Sequence, residues 1–314
     1  MRKLDPAAIH PELRPLLPWL GLLELPMSNL KLMRRLGRLA RAPRLPGGVT
    51  VEDRRIARPD GTSLRVRLYL PAQRVTPSPA VLHIHGGGYL IGAPEMDDMP
   101  CAETALALGA PVASVDYRLA PEAPFPAALE DCYAALAWLN QQAGGLGIDP
   151  ARVAVVGNSA GGGLAAALAQ CALDRGEFRL AFQALLYPML DDRTVTRPGL
   201  DRTAYRLWTA DNNRLGWQSY LGQAPGLPET PPYAVPARRA ELRGLPPAWL
   251  GIGTRDLFYE EDLAYAQRLI ACGVPCQLVE VPGAFHGFDA VLPQSQVARG
   301  FMQSRLAAMK QGLE

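Results

Sequence analysis

The chain has 314 residues, 48% of them hydrophobic and 20% charged, which suits one large α/β domain with an appendage better than two equal domains. Its 32 basic and 30 acidic residues leave a net charge of +2, too near balance to argue for nucleic acid or an anionic membrane as partner. No apolar run reaches the roughly 18 residues that a membrane span needs.

The N-terminal stretch carries Arg2 and Lys3 and then an apolar run from Leu16 to Leu23. Asp5, Glu12, Pro18 and Glu24 interrupt it, and no small-residue cleavage site follows promptly, so it does not read as a secretory leader. Five cysteines, Cys101, Cys132, Cys171, Cys272 and Cys276, form an odd set without a CxxC pair, which suits small packed residues in a reducing compartment. A cytoplasmic, soluble protein is expected.

Residues 1 to about 47 alternate helical apolar patterns with breaks at Pro6, Pro11, Pro15, Pro18 and Pro26, and end in the Pro43 to Gly48 turn. Such a segment cannot bury itself alone and should lie across something else. Its basic cluster from Lys31 to Arg41 has apolar positions at helical spacing and reads as the wet face of a packed helix, with a membrane-surface helix as the alternative. Next, Val49 to Arg58 and Leu64 to Leu70 alternate apolar and polar residues around the turn from Pro59 to Thr62, the pattern of an antiparallel hairpin at a sheet edge.

The strands then change character. Ala80 to Ile84, Val112 to Val115, Val153 to Val156, Phe182 to Leu186, Ala248 to Ile252 and Cys276 to Val281 are short apolar runs, mostly separated by helical stretches. That alternation predicts a parallel sheet covered on both faces, with the active site outside the carboxyl ends of its strands. The interval from about 189 to 240 breaks the rhythm with Tyr205, Trp208, Trp217, Tyr220 and a series of prolines. It is too long for a plain connection and is expected to join residues 1–47 in a cap, leaving 48–188 and 241–314 as the catalytic domain.

The chemistry centres on Gly157-Asn158-Ser159-Ala160-Gly161, between the run Val153 to Val156 and the helical stretch from Ala160 onward. Glycines two before and two after a serine allow strand to double back into helix, and the strained turn exposes the hydroxyl. The spacing fits neither a P-loop nor a dinucleotide fingerprint. A serine hydroxyl is a weak nucleophile, so it requires a base and a carboxylate to orient that base. Of the four histidines, His10 lies in the N-terminal segment, His83 alternates within a strand and His85 starts a glycine run. His286, in the loop after Cys276 to Val281, is the expected base, against the plainer reading of a satisfied loop histidine. Asp256 follows Ala248 to Ile252 and is the expected orienting carboxylate, while Glu260, Glu261 and Asp262 fit the first turn of the next helix. Backbone donors for an oxyanion are expected at Gly87 and Gly88, in the loop from His85 to Tyr89, and at Ala160.

These motifs, with Asp116-Tyr117-Arg118-Leu119-Ala120-Pro121-Glu122, resemble those of the hormone-sensitive-lipase-like bacterial carboxylesterases and lipases from about residue 65 to the end. The resemblance implies an α/β-hydrolase, with a mostly parallel central sheet, helices on both faces and a helical cap. It implies that Ser159, Asp256 and His286 form a triad, that Gly87, Gly88 and Ala160 form the oxyanion hole, and that short- to medium-chain carboxylic esters are hydrolysed without metal or cofactor. A lactonase, an amidase or a lipase on the same site is the alternative, and a non-catalytic receptor is disfavoured by the presence of His286. Two departures stand out: Asn158 occupies a position where the group has Asp or Thr, and Asp256 is followed by Leu257-Phe258 where Pro-Leu is common. The triple-glycine loop is expected to leave room for bulky alcohols, so tertiary-alcohol esters enter the expected range. A small ester is the expected partner; oligomeric state is open, a homodimer included.

Overall fold

The computed structural model describes residues 6–23, 27–39, 44–58, 60–201 and 204–314. Of the positions read above, Arg2, Lys3, Asp5, Glu24, Pro26, Arg41, Pro43 and Pro59 lie outside the described residues.

A short N-terminal run of 3-10 turns leads into helices α1 (Leu17–Leu23) and α2 (Leu30–Leu39). Strands β1 (Val49–Ala57) and β2 (Ser63–Pro71) then form the expected antiparallel hairpin. The chain continues through β3 (Ser78–Ile84), α3 (Asp98–Leu108), β4 (Val112–Val115), α4 (Ala127–Gln141), α5 (Ala143–Leu146), β5 (Ile148–Asn158), α6 (Ala160–Arg175) and β6 (Phe182–Leu186). It ends with α7 (Ala210–Leu221), β7 (Ala248–Gly253), α8 (Tyr259–Ala271), β8 (Cys276–Val281), α9 (Phe288–Val291) and α10 (Gln296–Gly312).

The eight strands make one sheet in the order β1-β2-β4-β3-β5-β6-β7-β8. β2 pairs antiparallel with both β1 and β4, and every pairing from β4 to β8 is parallel. The central strands are continuous apolar runs because both faces are covered. Helices α3 and α10 touch each other and one face, while α4 and α6 pack on the other. Gln170 Nε2–H of α6 donates to Tyr265 Oη of α8 at 3.1 Å, which ties α8 to that second layer. Edge strand β1 carries Glu52, Asp53, Arg54 and Arg55, charges that discourage further strand addition.

The register decides what meets at the top of the sheet. Ile84 of β3 pairs with Gly157 of β5, so the loop from His85 emerges beside the turn at Ser159. Gly253 of β7 pairs with Val281 of β8, which brings the loops carrying Asp256 and His286 together. Four candidate elements thus share the carboxyl edge of one sheet, as open parallel sheets favour.

The N-terminal segment is fastened to that edge. Ile9, Leu13 and Leu20 are buried, and His10 N–H donates to Gly283 O at 3.0 Å. From α2, Arg34 reaches inward to donate to Leu90 O (2.7 Å), Ala120 O (2.6 Å) and Glu122 (2.9 Å), so this basic cluster is partly engaged with the protein itself. Among the described residues, no helix is long and apolar enough to cross a membrane.

Candidate active site

Ser159 sits between β5 and α6 with φ 56° and ψ −121°, a strained backbone for a non-glycine residue. The strain is held from three sides: Ser159 N–H donates to Leu186 O (2.9 Å), and Ser159 O accepts from Gly163 N–H (3.0 Å) and Met189 N–H (2.9 Å). The flanking glycines are required by backbone contact. A Cβ at Gly157 would lie 2.1 Å from Gly161 O, and one at Gly161 would lie 2.1 Å from Ile84 O. Both are well inside van der Waals contact, as the sequence pattern anticipates.

Ser159 Oγ lies 2.9 Å from His286 Nε2, and His286 Nδ1 lies 2.7 Å from Asp256 Oδ2. A carboxylate only accepts, so Nδ1 carries the proton and Nε2 is left to accept from the serine hydroxyl. The other carboxylate oxygen, Oδ1 of Asp256, accepts from Phe258 N–H at 3.0 Å, which fixes the carboxylate plane. The Leu257-Phe258 departure therefore keeps this backbone contact, and the Phe258 ring also packs edge-on against His286 at 5.2 Å. Tyr187 packs on the same imidazole at 4.8 Å. Ser159 is 6% and His286 8% exposed, so the pair is reachable yet largely shielded from water.

The loop after β3 abuts the serine turn: a Cβ at Gly86 would lie 3.0 Å from Asn158 O. Among the described residues, the N–H groups of Gly87, Gly88 and Ala160 donate to no protein acceptor, so all three are free to bind an oxyanion. Gly87 has φ 118° and a Cβ there would meet Ile91 O at 2.1 Å; Gly88 has φ 62° and a Cβ there would meet Trp208 Cη2 at 2.0 Å. The expected room for bulky alcohols is thus not found beside these glycines. Backbone and an indole already fill the space that their missing side chains leave.

Comparison with known proteins adds to this geometry. The alpha/beta hydrolase fold family matches residues 81–290. The chain belongs to this alpha/beta hydrolase family. The carboxylesterase NlhH of Mycobacterium tuberculosis is 36% identical over 293 residues, covering 89% of this chain and 88% of that protein. An ethyl acetate hydrolase of Pseudomonas putida is 36% identical over 255 residues, covering 76% of this chain and 75% of that one. A solved bacterial heroin esterase has a TM-score of 0.90 at 37% identity, covering 98% of this chain and 99% of that one. The resemblance to the hormone-sensitive-lipase-like group holds, and the hydrolase acts on carboxylic esters.

The remaining motifs of the hydrolase buttress this site. The Tyr117 ring stacks on His85 at 4.2 Å and its hydroxyl donates to His85 O at 2.9 Å, while Ala120 N–H donates to Tyr89 O at 2.9 Å. The segment from Asp116 to Glu122 therefore supports the glycine loop from below. His85 Nδ1–H donates to Gly86 O at 2.8 Å, which braces the start of the loop, and burial lowers its pKa, which keeps the ring neutral. His83 is buried and its Nε2–H donates to Asp97 at 2.9 Å, a packed histidine with a carboxylate partner.

Glu260, Glu261 and Asp262 do occupy the first turn of α8. Two of them go beyond complementing the helix dipole. Glu261 is buried and accepts from Leu190 N–H (2.7 Å), Asp191 N–H (3.1 Å) and the Thr194 hydroxyl, pinning the start of the 189–240 interval. Asp262 is fully buried, neither oxygen has a partner among the described residues, and burial pushes its carboxyl well up. Asn158 likewise keeps a buried Oδ1 without a partner among the described residues. That Phe258, Tyr187 and Trp208 would pack around His286 was not legible in the sequence, since Phe258 follows β7 while Tyr187 and Trp208 lie at opposite ends of the stretch between β6 and α7. Among the described residues no cluster of three His, Cys, Asp or Glu side chains is placed to hold a metal ion.

Proposed function

We propose that the hydrolase cleaves short- to medium-chain carboxylic esters through an acyl-enzyme on Ser159, with His286 as general base and acid and Asp256 as its orienting carboxylate. The observation that carries this reading is the hydrogen-bonded chain Ser159–His286–Asp256, at 2.9 and 2.7 Å, at the tip of a strained turn. In the first half-reaction Ser159 Oγ bonds to the ester carbonyl carbon as its proton passes to His286 Nε2. The carbonyl oxygen takes negative charge and is held by the N–H groups of Gly87, Gly88 and Ala160. The bond to the alkoxy oxygen then breaks and that oxygen takes the proton from His286. Water repeats the sequence on the acyl-enzyme, releasing the acid and restoring the serine.

The short-chain preference draws support from the shielding of Ser159 and from the relative named an ethyl acetate hydrolase. Residues 1–47 and 189–240 act in this reading as a cap. Its supports are the His10 contact to Gly283, the Arg34 contacts to Leu90 and Ala120, and the seating of Trp208 on Gly88.

The test is hydrolysis of p-nitrophenyl esters from acetate to palmitate, with Ser159→Ala assayed in parallel. A rate that peaks at short acyl chains and vanishes in the variant is expected. A variant that keeps the wild-type rate would remove Ser159 from the mechanism, and a rate peaking at palmitate would overturn the chain-length reading.

A further inference from the structure

Trp208 is 5% exposed and is held in one orientation. Its Nε1–H donates to Asn213 Oδ1 on α7 at 3.2 Å. Behind it, a Cβ at Gly216 of α7 would lie 3.5 Å from Trp208 Cζ2 and 2.9 Å from Gly88 O. In front, a Cβ at Gly88 would lie within 2.0 to 2.8 Å of three carbons of the six-membered ring. Gly88 therefore makes way for the indole and Gly216 for the Gly88 carbonyl, and the indole lies 6.4 Å from the His286 ring, tilted by 36°.

We propose that Trp208 is a specificity-determining residue that sizes the leaving-group side of the site, admitting unbranched alkoxy groups and excluding branched ones. The inference rests on the roles proposed above for Ser159, His286 and Gly88. A tetrahedral carbon bound to Ser159 Oγ has three other substituents: the oxyanion, the alkoxy oxygen and the acyl chain. The oxyanion must point at the glycine loop, and the alkoxy oxygen must lie within hydrogen-bond reach of His286 Nε2 to receive its proton. A group that touches the glycine loop and also neighbours the imidazole borders the alkoxy substituent, with the acyl chain directed away from both. Branching at the first alkoxy carbon would press methyl groups against the indole, whose burial and hydrogen bond to Asn213 leave it little freedom to yield.

The experiment compares kcat/KM for ethyl, isopropyl and tert-butyl acetate, and for ethyl esters from acetate to hexanoate, in the wild type, Trp208→Ala and Trp208→Phe. The tert-butyl to ethyl ratio should rise by at least ~10-fold in Trp208→Ala, the scale that one methylene group commands in an apolar pocket. The isopropyl to ethyl ratio should rise by a smaller factor in Trp208→Phe, while the order of preference along the acyl series stays as in the wild type. Unchanged alcohol ratios, or a shift along the acyl series in their place, would overturn the proposal. If the alanine variant does not fold, the phenylalanine variant decides on the same ratio. Ser159→Ala, run on ethyl acetate, separates the two layers: full turnover there defeats the assignment of the nucleophile, whereas unmoved ratios beside an inactive Ser159→Ala defeat only the role of Trp208.

Discussion

Two glycine-rich turns meet at this site, and Gly88 of the second differs from Gly157 and Gly161 of the first in what its missing side chain would strike. In the serine turn, the missing side chains of Gly157 and Gly161 would strike main chain: Gly161 O in one case, Ile84 O and His85 O in the other. In the loop after β3, the missing side chain of Gly88 would strike the far end of an indole. Main chain held at the end of a strand and in the first turn of a helix cannot retreat, whereas a side chain can be trimmed. The turn at Ser159 is accordingly fixed by main chain, as Gly87 is by Ile91 O, whereas at Gly88 the second loop meets a surface that one distant side chain, Trp208, shapes.

The largest effect expected lies outside both turns, in the polar chain that they serve. Asp256→Asn should leave the fold intact and lower kcat by about 10⁴-fold, because an amide at this place holds the wrong imidazole tautomer. Steady-state kinetics beside a thermal melt would check this, and a loss under tenfold would mean that Asp256 does not orient His286. Gly88→Ala comes next, with kcat expected to fall by ~10²-fold as φ 62° is lost and Trp208 is displaced from beside the proposed oxyanion donor. Adding Trp208→Ala should recover part of that rate. A double variant no faster than Gly88→Ala would break the distinction drawn between the two turns.

Gly161→Ala sharpens the same contrast from the other side. The new methyl would face main-chain oxygens at 2.1 and 2.4 Å, so stability should fall by about 3 kcal/mol, and Trp208→Ala should restore none of it. Denaturant unfolding of the single and double variants measures both statements.

Much of this was legible in the sequence because the decisive constraints are local. The serine turn needs small residues within two positions of Ser159, and the parallel strands announce themselves as short apolar runs with both faces buried. Asp256 and His286 could be placed because adjacent strands deliver them in chain order to one edge. What stayed hidden depends on contacts between distant segments. Trp208 is 120 positions from Gly88, so the glycines alone suggested open space where an indole lies. Glu261 looked like a helix-dipole residue, and only the packed structure reveals that it holds Leu190 and Asp191.

The smallest expected effect concerns Asp262, whose unpartnered buried carboxyl is pushed up by burial first, with Glu261 and Asp256 adding to it. The unfolded chain gives up this proton at an ordinary carboxylate pH, while the folded protein holds it longer. Stability therefore falls as pH rises from the ordinary carboxylate range through the raised folded value. Asp262→Asn should remove that slope, raising Tm by about 2–4 °C at neutral pH and changing it little near the ordinary carboxylate pKa of about 4. A lower Tm for the variant at neutral pH would show that the carboxylate is stabilised by a partner.

The most direct test of the central claim is chemical labelling with diethyl p-nitrophenyl phosphate, followed by peptide mapping. The hydrolase should release one equivalent of p-nitrophenolate as Ser159 Oγ bonds to phosphorus, lose activity in step, and carry the diethylphosphoryl group on Ser159. Label on any other residue, or full activity with Ser159 fully labelled, would contradict the account.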